Sequence, residues 1–399
     1  MVKQKTFSFT ITHQDKKTRA RTGIIKTSSG AIETPYSIPV ATSGYIRALT
    51  SKDITRLKIP CLLANTYHLH CKPGEHVIKK LGGLHKYMKF PGVLFTDSGG
   101  FQAFSLGIGK ETGGRKIGFF NNNRQVEKNA SSLAKVTERG VTFTSIYDNS
   151  KHFMGPKESM QIQSDLGANI IMAFDECTSA TSNKAYIAES MERSHRWEKL
   201  SLKYRNKKQA LYGIIHGGWF KDLRLESAEI INSLPFDGIA IGGSLGPDKK
   251  SMYEVLDYVI PALDDRPRHM LGIGWVDDVF ECVERGMDTF DCVETTRVAR
   301  HGYVFISPRS GGNKKNKFRL SIRKSLYEKD KKKIDSTCSC ELCKNYNRSQ
   351  AHDLYKAKAP EYYRLATIHN ITFMLDVMRQ IRNSIKNQTF QKLKKRWMS

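Results

Sequence analysis

Short apolar runs recur along most of the chain, and amphipathic segments lie between several of them. Eight of these runs have the length of buried strands: Ser37–Ala41, Cys61–Ala64, Val93–Thr96, Asn169–Phe174, Leu211–Ile215, Gly238–Ile241, His269–Ile273 and Thr289–Val293. Ala185–Lys203 and Lys221–Leu234 have helical periodicity. Alternating strands and helices favour a parallel sheet, and eight such units over about 270 residues are the usual size of a closed barrel. We therefore predict an α/β fold with a (β/α)8 TIM barrel over residues 1–308.

Polar residues or glycines follow nearly every predicted strand. The segments at the strand ends are Asn65–Thr66–Tyr67–His68, Asp97–Ser98–Gly99–Gly100–Phe101–Gln102, Asp175–Glu176–Cys177, His216–Gly217–Gly218, Gly242–Gly243–Ser244 and Gly272–Ile273–Gly274, and Asp291 lies within the eighth run. Chemistry in such barrels gathers at the carboxyl ends of the strands. A carboxylate among apolar neighbours is costly unless it is paired or used. Taken alone, Asp291 has a second explanation, hydrogen bonding to nearby backbone amides.

The net charge narrows the class of partner. The chain carries 65 Lys and Arg against 39 Asp and Glu, a formal charge of +26, and basic runs cluster at Lys314–Lys333 and Lys392–Arg396. This excess predicts a polyanionic partner, most simply a nucleic acid, although genome composition alone also produces basic proteins. There is no signal peptide pattern and no apolar run long enough to cross a membrane. The cysteines do not form a secreted disulfide framework, so we expect a cytoplasmic protein.

The chain after residue 308 has a different character. Residues 309–399 are basic, with helical patterns at Ser349–Tyr355 and Glu361–Lys386. Cys338, Cys340 and Cys343 form a C-x-C-x2-C cluster, and a histidine on a following helix would complete a tetrahedral Cys3His zinc site. His369 is preferred to His352 because its surroundings are more apolar. The alternatives are an iron–sulfur cluster or three free thiols. A complete ligand set predicts a structural metal, not a catalytic one.

Residues 106–133 interrupt the strand pattern with Gly, Lys, Asn and Arg in quantity. We interpret this segment as a basic loop inserted in the barrel. It has two explanations that the sequence does not separate, contact with RNA and a tolerated insertion.

These motifs together resemble the tRNA-guanine transglycosylases, the queuine/preQ1 tRNA-ribosyltransferases. The resemblance extends from about Phe7 to Arg382 and is carried by Asn65–Leu69, Asp97–Gln102, Asp175–Cys177, Asp237–Gly243, Phe290–Cys292, Thr296–Arg297 and the Cys338/Cys340/Cys343/His369 set. It implies a (β/α)8 barrel with a zinc-binding, tRNA-contacting subdomain near the C-terminus and one structural Zn²⁺ per chain. It also implies exchange of guanine at the tRNA wobble position for a 7-deazaguanine base, on the tRNAs for aspartate, asparagine, histidine and tyrosine with GUN anticodons.

The resemblance also implies roles for single residues. Asp291 would be the nucleophile that forms a covalent ribosyl ester, and Asp97 the general acid/base, as in retaining glycosidases. The implied base-binding residues are Ser98, Gly99, Gly100, Phe101, Asp175, Cys177, His216, Gly243, Ser244, Leu271 and Gly272. The implied RNA-binding residues are Gly272, Ile273, Gly274, Trp275, Val276, Asp277, Asp278, Thr296, Arg297, Val298, Ala299 and Arg300.

Two departures from the family pattern bear on the base. His216 stands where the family usually has Gln, and Gly246 stands where the preQ1-using type usually has Val. A missing side chain would leave room for the cyclopentenediol of queuine, so we favour queuine over preQ1. We expect a homodimer, although the sequence does not exclude a different subunit. The competing functions are a non-catalytic tRNA-binding partner subunit, a DNA deazaguanine transglycosylase and a small-molecule barrel enzyme. The first would have lost the aspartates, and the last would not explain the charge.

Overall fold

The computed structural model describes residues 6–104, 134–179 and 182–399. The predicted insert at 106–133 therefore lies outside the described residues. The strands are β1 (Phe7–Gln14), β2 (Arg21–Thr27), β3 (Gly30–Thr34), β4 (Tyr36–Ile38), β5 (Cys61–Ala64), β6 (Val93–Thr96), β7 (Ala134–Thr137), β8 (Gly140–Thr144), β9 (Lys151–Met154), β10 (Ile170–Met172), β11 (Ala210–Ile215), β12 (Gly238–Ile241), β13 (Arg268–Met270), β14 (Thr289–Asp291), β15 (Tyr303–Phe305) and β16 (Arg319–Ser321).

The helices alternate with the barrel strands and then form most of the C-terminal part. They are α1 (Ser51–Arg56), α2 (Thr66–Cys71), α3 (Glu75–Lys80), α4 (Leu84–Met88), α5 (Pro156–Leu166), α6 (Lys184–Tyr204), α7 (Lys221–Ser233), α8 (Lys249–Val259), α9 (Val276–Glu284), α10 (Glu294–Arg300), α11 (Glu341–Asn345), α12 (Arg348–Lys356), α13 (Pro360–Lys386) and α14 (Phe390–Met398). Residues 100–104 are also helical. No helix in the described ranges is both long and apolar enough to cross a membrane.

Eight parallel strands form the predicted barrel, in the order β4, β14, β13, β12, β11, β10, β6, β5. The two edge strands meet just beyond β4, where Val40 pairs with Leu63 and the Ala41 amide donates to the Leu63 carbonyl at 2.7 Å. All eight predicted runs therefore become barrel strands, with ends that shift by a few residues. The eighth strand ends at Asp291 and does not continue to Val293.

The apolar runs are continuous because both faces of each strand are covered. One face packs into the barrel interior, where Leu63, Phe95, Met172, Tyr212 and Ala240 form one apolar cluster. The other face packs against the surrounding helices in a second, larger cluster.

Three small antiparallel sheets were not predicted. They are β1–β2–β3, β7–β8–β9 and the hairpin β15–β16. In β1, residues alternate between half-buried and exposed positions, so the strand has no continuous apolar run. The long C-terminal helix α13 packs against α10, β2 and β4 and connects the C-terminal part to the barrel.

Candidate active site and metal site

The polar strand ends meet at one mouth of the barrel and are joined by hydrogen bonds. The Asn65 side chain and the Thr66 amide, after β5, donate to the Asp97 carboxylate after β6, and Ser98 Oγ donates to Asp175 Oδ1 at 2.7 Å. The Gly272 amide, after β13, donates to Asp291 Oδ1 at 3.0 Å. The carboxylates of Asp291 and Asp175 also act electrostatically on Asp97, so the three aspartates lie near one another at this mouth.

Asp97 is half-buried and is held by the segment that follows β5. The Thr66 amide donates to Asp97 Oδ1 at 2.8 Å, and Asn65 Nδ2 donates to Oδ2. The pKa of Asp97 is raised to about 7, mainly by burial and also by the nearby carboxylates of Asp291 and Asp175, against the lowering effect of the hydrogen bonds from Thr66. A carboxyl group with a pKa near neutrality is suited to both donate and accept a proton.

Asp175 lies deeper in the mouth, between the ends of β6 and β11. Its neighbour Gly100 allows the two loops to approach, because a Cβ atom there would lie 2.6 Å from the Asp175 carbonyl oxygen. His216 Nε2 lies 3.3 Å from Asp175 Oδ2, but without hydrogen-bond geometry, and this buried nitrogen has no partner among the described residues. The Asp175 carboxylate and the His216 imidazole therefore retain hydrogen-bonding capacity for a bound molecule.

Asp291 ends β14 with its side chain 16% exposed. Besides the Gly272 amide, His269 Nε2 lies 3.2 Å from Oδ1, and His269 Nδ1 lies 2.9 Å from Thr289 Oγ1. His269 is fully buried. His269 lies in a predicted strand but was not predicted as a site residue. Its sequence signal is an ionisable side chain inside an apolar run, as for Asp291.

Arg224 is a second residue near the candidate site that was not predicted from the sequence. It is fully buried on α7, and its guanidinium donates to the carbonyls of Gly218 at 2.6 Å, Ile215 at 2.6 Å, Gly242 at 2.8 Å and Ser244 at 3.0 Å. No carboxylate of the described residues forms an ion pair with it. Burial lowers its pKa to about 10. Arg224 thus connects the loops after β11 and β12, which contain predicted base-binding residues.

The other predicted pocket residues line the same mouth. Gly243 has φ +67°, in the left-handed region that favours glycine, and a Cβ atom there would lie 3.1 Å from His216 Nδ1. Ser98, Gly99 and Ser244 are buried, whereas Phe101, Cys177, Leu271 and Gly272 are half-buried. Burial raises the pKa of the Cys177 thiol, and repulsion from Asp175 acts in the same direction.

The predicted RNA-binding residues separate into two groups by exposure. Partial exposure is found at Gly272, Trp275, Asp277, Arg297 and Arg300. The buried members are Ile273, Gly274, Val276, Asp278, Thr296, Val298 and Ala299. Asp278 is fully buried and accepts hydrogen bonds from Lys249 Nζ at 2.8 Å and Tyr253 OH at 2.7 Å. The buried group therefore shapes the backbone that carries the exposed side chains.

The basic edge of the mouth consists of Arg47, Arg297 and Arg300, and the side chain of Arg47 is exposed. Burial lowers the pKa of Arg300, and repulsion from Arg47 and Arg297 lowers it further. Three guanidinium groups therefore lie near one another beside the Asp291 strand. Arg297 also pairs with Glu294. Arg47 is not among the predicted RNA-binding residues.

The predicted metal ligands come together in the C-terminal part. The ligand atoms of Cys338, Cys340, Cys343 and His369 all lie within 4.8 Å of one another. His369 Nδ1 faces the sulfurs of Cys340 and Cys343 at 3.4 and 3.3 Å, while Nε2–H donates to the Phe305 carbonyl at 2.7 Å. Such a second hydrogen bond orients a metal-binding histidine. The group can therefore bind a metal ion.

His352, the alternative ligand, is excluded from this group. Its Nδ1 lies 2.7 Å from the Ile322 carbonyl, and Nε2 lies 3.7 Å from Glu328.

The pKa of the Cys340 thiol is lowered because Cys338 and Cys343 hydrogen bond to it, which favours a thiolate.

The fold and these sites define an α/β-barrel protein with aspartates gathered at one mouth and a Cys3His group in a C-terminal extension. A family model described as Queuine tRNA-ribosyltransferase matches residues 15–399. A protein of Archaeoglobus fulgidus, named as a putative queuine tRNA-ribosyltransferase, is 47% identical over 392 residues, covering 95% of this chain and 96% of that protein.

Two further relatives are named queuine tRNA-ribosyltransferase. The protein of Roseiflexus sp. is 41% identical over 410 residues, covering 98% of this chain and 99% of that protein. The protein of Halothermothrix orenii is 41% identical over 382 residues, covering 95% and 94%. The chain therefore belongs to the queuine tRNA-ribosyltransferase family of tRNA-guanine transglycosylases and is an enzyme of the pentosyltransferase class.

Proposed function

We propose that the protein exchanges guanine at the wobble position of tRNAs with GUN anticodons for a free 7-deazaguanine base through a covalent aspartyl-ribosyl intermediate. The observation that carries this proposal is the pair of carboxyl groups at one mouth. Asp97 has a pKa raised to about 7, and Asp291 has one carboxylate oxygen with no hydrogen bond from the described residues. Such a pair supports two successive displacements at one carbon.

Asp291 attacks the ribose C1′, and the bond to guanine breaks as the electron pair leaves with the base. Protonated Asp97 gives its proton to the departing guanine. The incoming base then loses a proton to Asp97 and attacks C1′, and the ester bond to Asp291 breaks. Two inversions preserve the configuration at C1′ without ATP. Water must be excluded while the ester exists.

Recognition of the base is assigned to the predicted pocket residues. The Asp175 carboxylate and the His216 imidazole provide polar contacts at the base edge, with Cys177 nearby. Phe101 and Leu271 flank the base plane, and Ser98, Gly243 and Ser244 complete the pocket. We favour queuine over preQ1 because the motifs around His216 and Gly246 resemble queuine-salvaging members of the family.

The contacts around Gly246 do not by themselves support the expectation that its missing side chain leaves room for the cyclopentenediol of queuine. A Cβ atom there would lie 2.5 Å from the Ser251 Cβ and 3.3 Å from the Trp219 Cβ. The absent side chain thus permits close packing of α8. Competition between queuine and preQ1 for a tRNA with a GUN anticodon tests the preference, and preferential incorporation of preQ1 would contradict it.

We assign tRNA contact to the mouth and to the C-terminal extension, residues 309–399. We assign Arg47, Arg297 and Arg300 to contacts with phosphates of the anticodon loop, because these three cations lie near one another beside Asp291. Gly272, Trp275 and Asp277 lie on the neighbouring loop and provide further contacts. We place the reaction in the cytoplasm, the compartment that the cysteine pattern predicts.

We propose Zn²⁺ as the structural metal, because three thiolates and one imidazole suit tetrahedral zinc. Cys338, Cys340, Cys343 and His369 would hold it, and it would link residues 338–343, which include the start of α11, to α13. Metal analysis of the intact protein should find about one zinc per chain. Less than half an equivalent, or iron with sulfide, would contradict the assignment.

Guanine exchange tests the main proposal. Radiolabelled guanine should enter tRNA with a GUN anticodon but not duplex DNA, and Asp291→Asn should abolish the covalent RNA adduct. Exchange into DNA alone would favour a DNA transglycosylase, and tRNA binding without exchange would favour a non-catalytic subunit. An adduct that persists in Asp291→Asn would contradict the nucleophile assignment.

We propose a homodimer, in line with the resemblance. Native mass spectrometry should find twice the chain mass at catalytic concentration. Full exchange activity from a monomer would contradict this proposal without affecting the others.

A further inference from the structure

The two carboxylate oxygens of Asp291 have different surroundings. Oδ1 accepts hydrogen bonds from the Gly272 amide at 3.0 Å and from His269 Nε2–H at 3.2 Å. No donor among the described residues reaches Oδ2. We infer that His269 is a positioning residue that fixes the Asp291 carboxylate so that Oδ2 is the attacking atom. This inference rests on the proposed function and assigns one oxygen and one supporting side chain to the nucleophile.

The strand register explains how one histidine reaches the carboxylate. His269 on β13 is paired in register with Thr289 on β14. Thr289 and Asp291 are two residues apart on one strand, so their side chains project from the same face. The imidazole therefore spans from Thr289 Oγ1, 2.9 Å from Nδ1, to Asp291 Oδ1. It also stacks on Phe95, with ring centroids 5.7 Å apart and an interplanar angle of 29°.

The Asp291 carboxylate determines which imidazole nitrogen carries the proton in the neutral ring, because a carboxylate oxygen only accepts hydrogen bonds. The ring proton therefore lies on Nε2 and points at Asp291 Oδ1, and Nδ1 accepts from the Thr289 hydroxyl. The ring is fully buried and stacked, so it cannot turn without disturbing the barrel interior. The arrangement is a chain of directed hydrogen bonds from Thr289 through His269 to the carboxylate.

The same contacts serve both displacements. In the first, the Oδ2 electron pair forms the bond to C1′ as the bond to guanine breaks, and Oδ1 becomes the ester carbonyl oxygen. In the second, the incoming base bonds to C1′, and the electron pair of the Oδ2–C1′ bond returns to the carboxylate. Donors at Oδ1 hold the carboxylate in place during attack and stabilise its charge as it leaves.

Substitution of His269 by Gln or by Asn separates positioning of the Asp291 carboxylate from packing. The side-chain amide of Gln lies near the position of Nε2, whereas that of Asn lies near the position of Nδ1. His269→Gln should retain most of the guanine-exchange kcat. His269→Asn and His269→Phe should lower kcat on the order of 10- to 100-fold, the effect of a poorly oriented reacting group. The KM for tRNA should remain unchanged in all three. Thr289→Val should lower kcat in the same direction, because Nδ1 loses the hydroxyl that orients the ring.

The measurement is steady-state guanine exchange with trapping of the covalent adduct, beside wild type and Asp291→Asn. Wild-type kcat in folded His269→Asn would overturn the inference, and so would a loss in His269→Gln as large as that in His269→Asn. If His269→Phe does not fold, the Gln and Asn pair decides. If both the wild type and His269→Asn exchange guanine at the same rate, the inference about His269 is wrong but the proposed function stands. If the wild type shows neither exchange nor adduct, the proposed function itself is wrong.

Discussion

Asp97 accepts hydrogen bonds at both carboxylate oxygens, yet burial and two neighbouring carboxylates raise its pKa to about 7. Asp291 is held at one oxygen by a backbone amide and an imidazole. Two carboxyl groups of the same residue type therefore have distinct environments, and different environments give them different tasks. In the proposed mechanism, the protonated form of Asp97 is suited to the first displacement, and its carboxylate to the second.

The raised pKa of Asp97 predicts the pH dependence of the first displacement. Because the folded-state pKa lies above the ordinary value, the protonated form is present below about pH 7 and is lost above it. The rate of adduct formation should therefore fall roughly tenfold per unit above about pH 7, as expected when one proton is required. Rapid-quench trapping of the adduct measures this rate.

A matched control separates the fall in rate above about pH 7 from general effects of pH on the protein. Asp265, whose side chain is 82% exposed, precedes β13 and so lies at the opposite end of the barrel. Asp265→Asn should keep the wild-type profile, whereas Asp97→Ala should lower the rate on the order of 10²- to 10⁴-fold. A flat wild-type profile from about pH 6 to about pH 9 would contradict the assignment of Asp97 as the acid.

At the scale of elements, Arg224 fixes the geometry of two loops at once. Its helix α7 lies outside the barrel, but its guanidinium reaches carbonyls after both β11 and β12. Arg224 therefore holds the backbone carbonyls of both loops in place from behind the predicted pocket. Such a buried cation without a carboxylate partner is costly, which favours a functional reason for its position.

Replacement of Arg224 should weaken binding of the base more than binding of tRNA. Arg224→Lys keeps the charge but cannot reach four carbonyls, so the KM for the free base should rise at least about tenfold, the equivalent of roughly 1.4 kcal/mol. The KM for tRNA should change little. Initial rates with each substrate varied in turn measure both constants.

Arg205 offers the matched control. It pairs with Asp237 just before β12, at the amino-terminal end of the barrel strands. Arg205→Met should leave both KM values near those of the wild type. If Arg224→Lys folds and binds the free base like the wild type, the guanidinium has no part in shaping the pocket.

The barrel strands were predictable from the sequence because both faces of each strand are apolar. β1 alternates in exposure and therefore left no such signal. Asp97, Asp175 and Asp291 were recognisable because carboxylates at strand ends are conspicuous. His269 and Arg224 were not identified, because their roles depend on which strand or loop lies next to them, and a linear pattern does not give this adjacency.

At the scale of the whole molecule, α13 connects the Cys3His group to the catalytic barrel. His369 in this helix donates to the Phe305 carbonyl. The next residue, Asn370, donates to the carbonyls of Thr295 at 3.0 Å and Tyr303 at 3.2 Å. Because Thr295 belongs to α10, the helix of Arg297 and Arg300, the metal site and the basic edge of the mouth share one support.

A cationic surface continues from the mouth onto the C-terminal extension. The Arg319 guanidinium lies 4.8 Å from the Trp275 ring centroid and 4.9 Å from that of Tyr303. Arg323 and Lys324 line an adjacent groove of about 430 Å³ with Tyr303 and Lys356. None of these cations forms an ion pair with a carboxylate in the described part of the chain. Unpaired cations among aromatic rings are suited to an RNA backbone with exposed bases.

Removal of charge from this surface should weaken tRNA binding in a salt-dependent way. The triple variant Arg323→Gln, Lys324→Gln and Lys356→Gln removes three exposed cations, so fewer counterions are released on binding. The slope of log K against log salt should decrease in magnitude by about two to three. The KM for the free base should not change, because the proposed base pocket lies at the barrel mouth. Fluorescence anisotropy of labelled tRNA across a salt series measures the slope.

The control is the double variant Lys207→Gln and Lys208→Gln. These two lysines are exposed just before β11, at the opposite mouth of the barrel, and this variant should keep the wild-type slope. Equal slopes in both variants would assign the +26 charge to general solubility and not to this face.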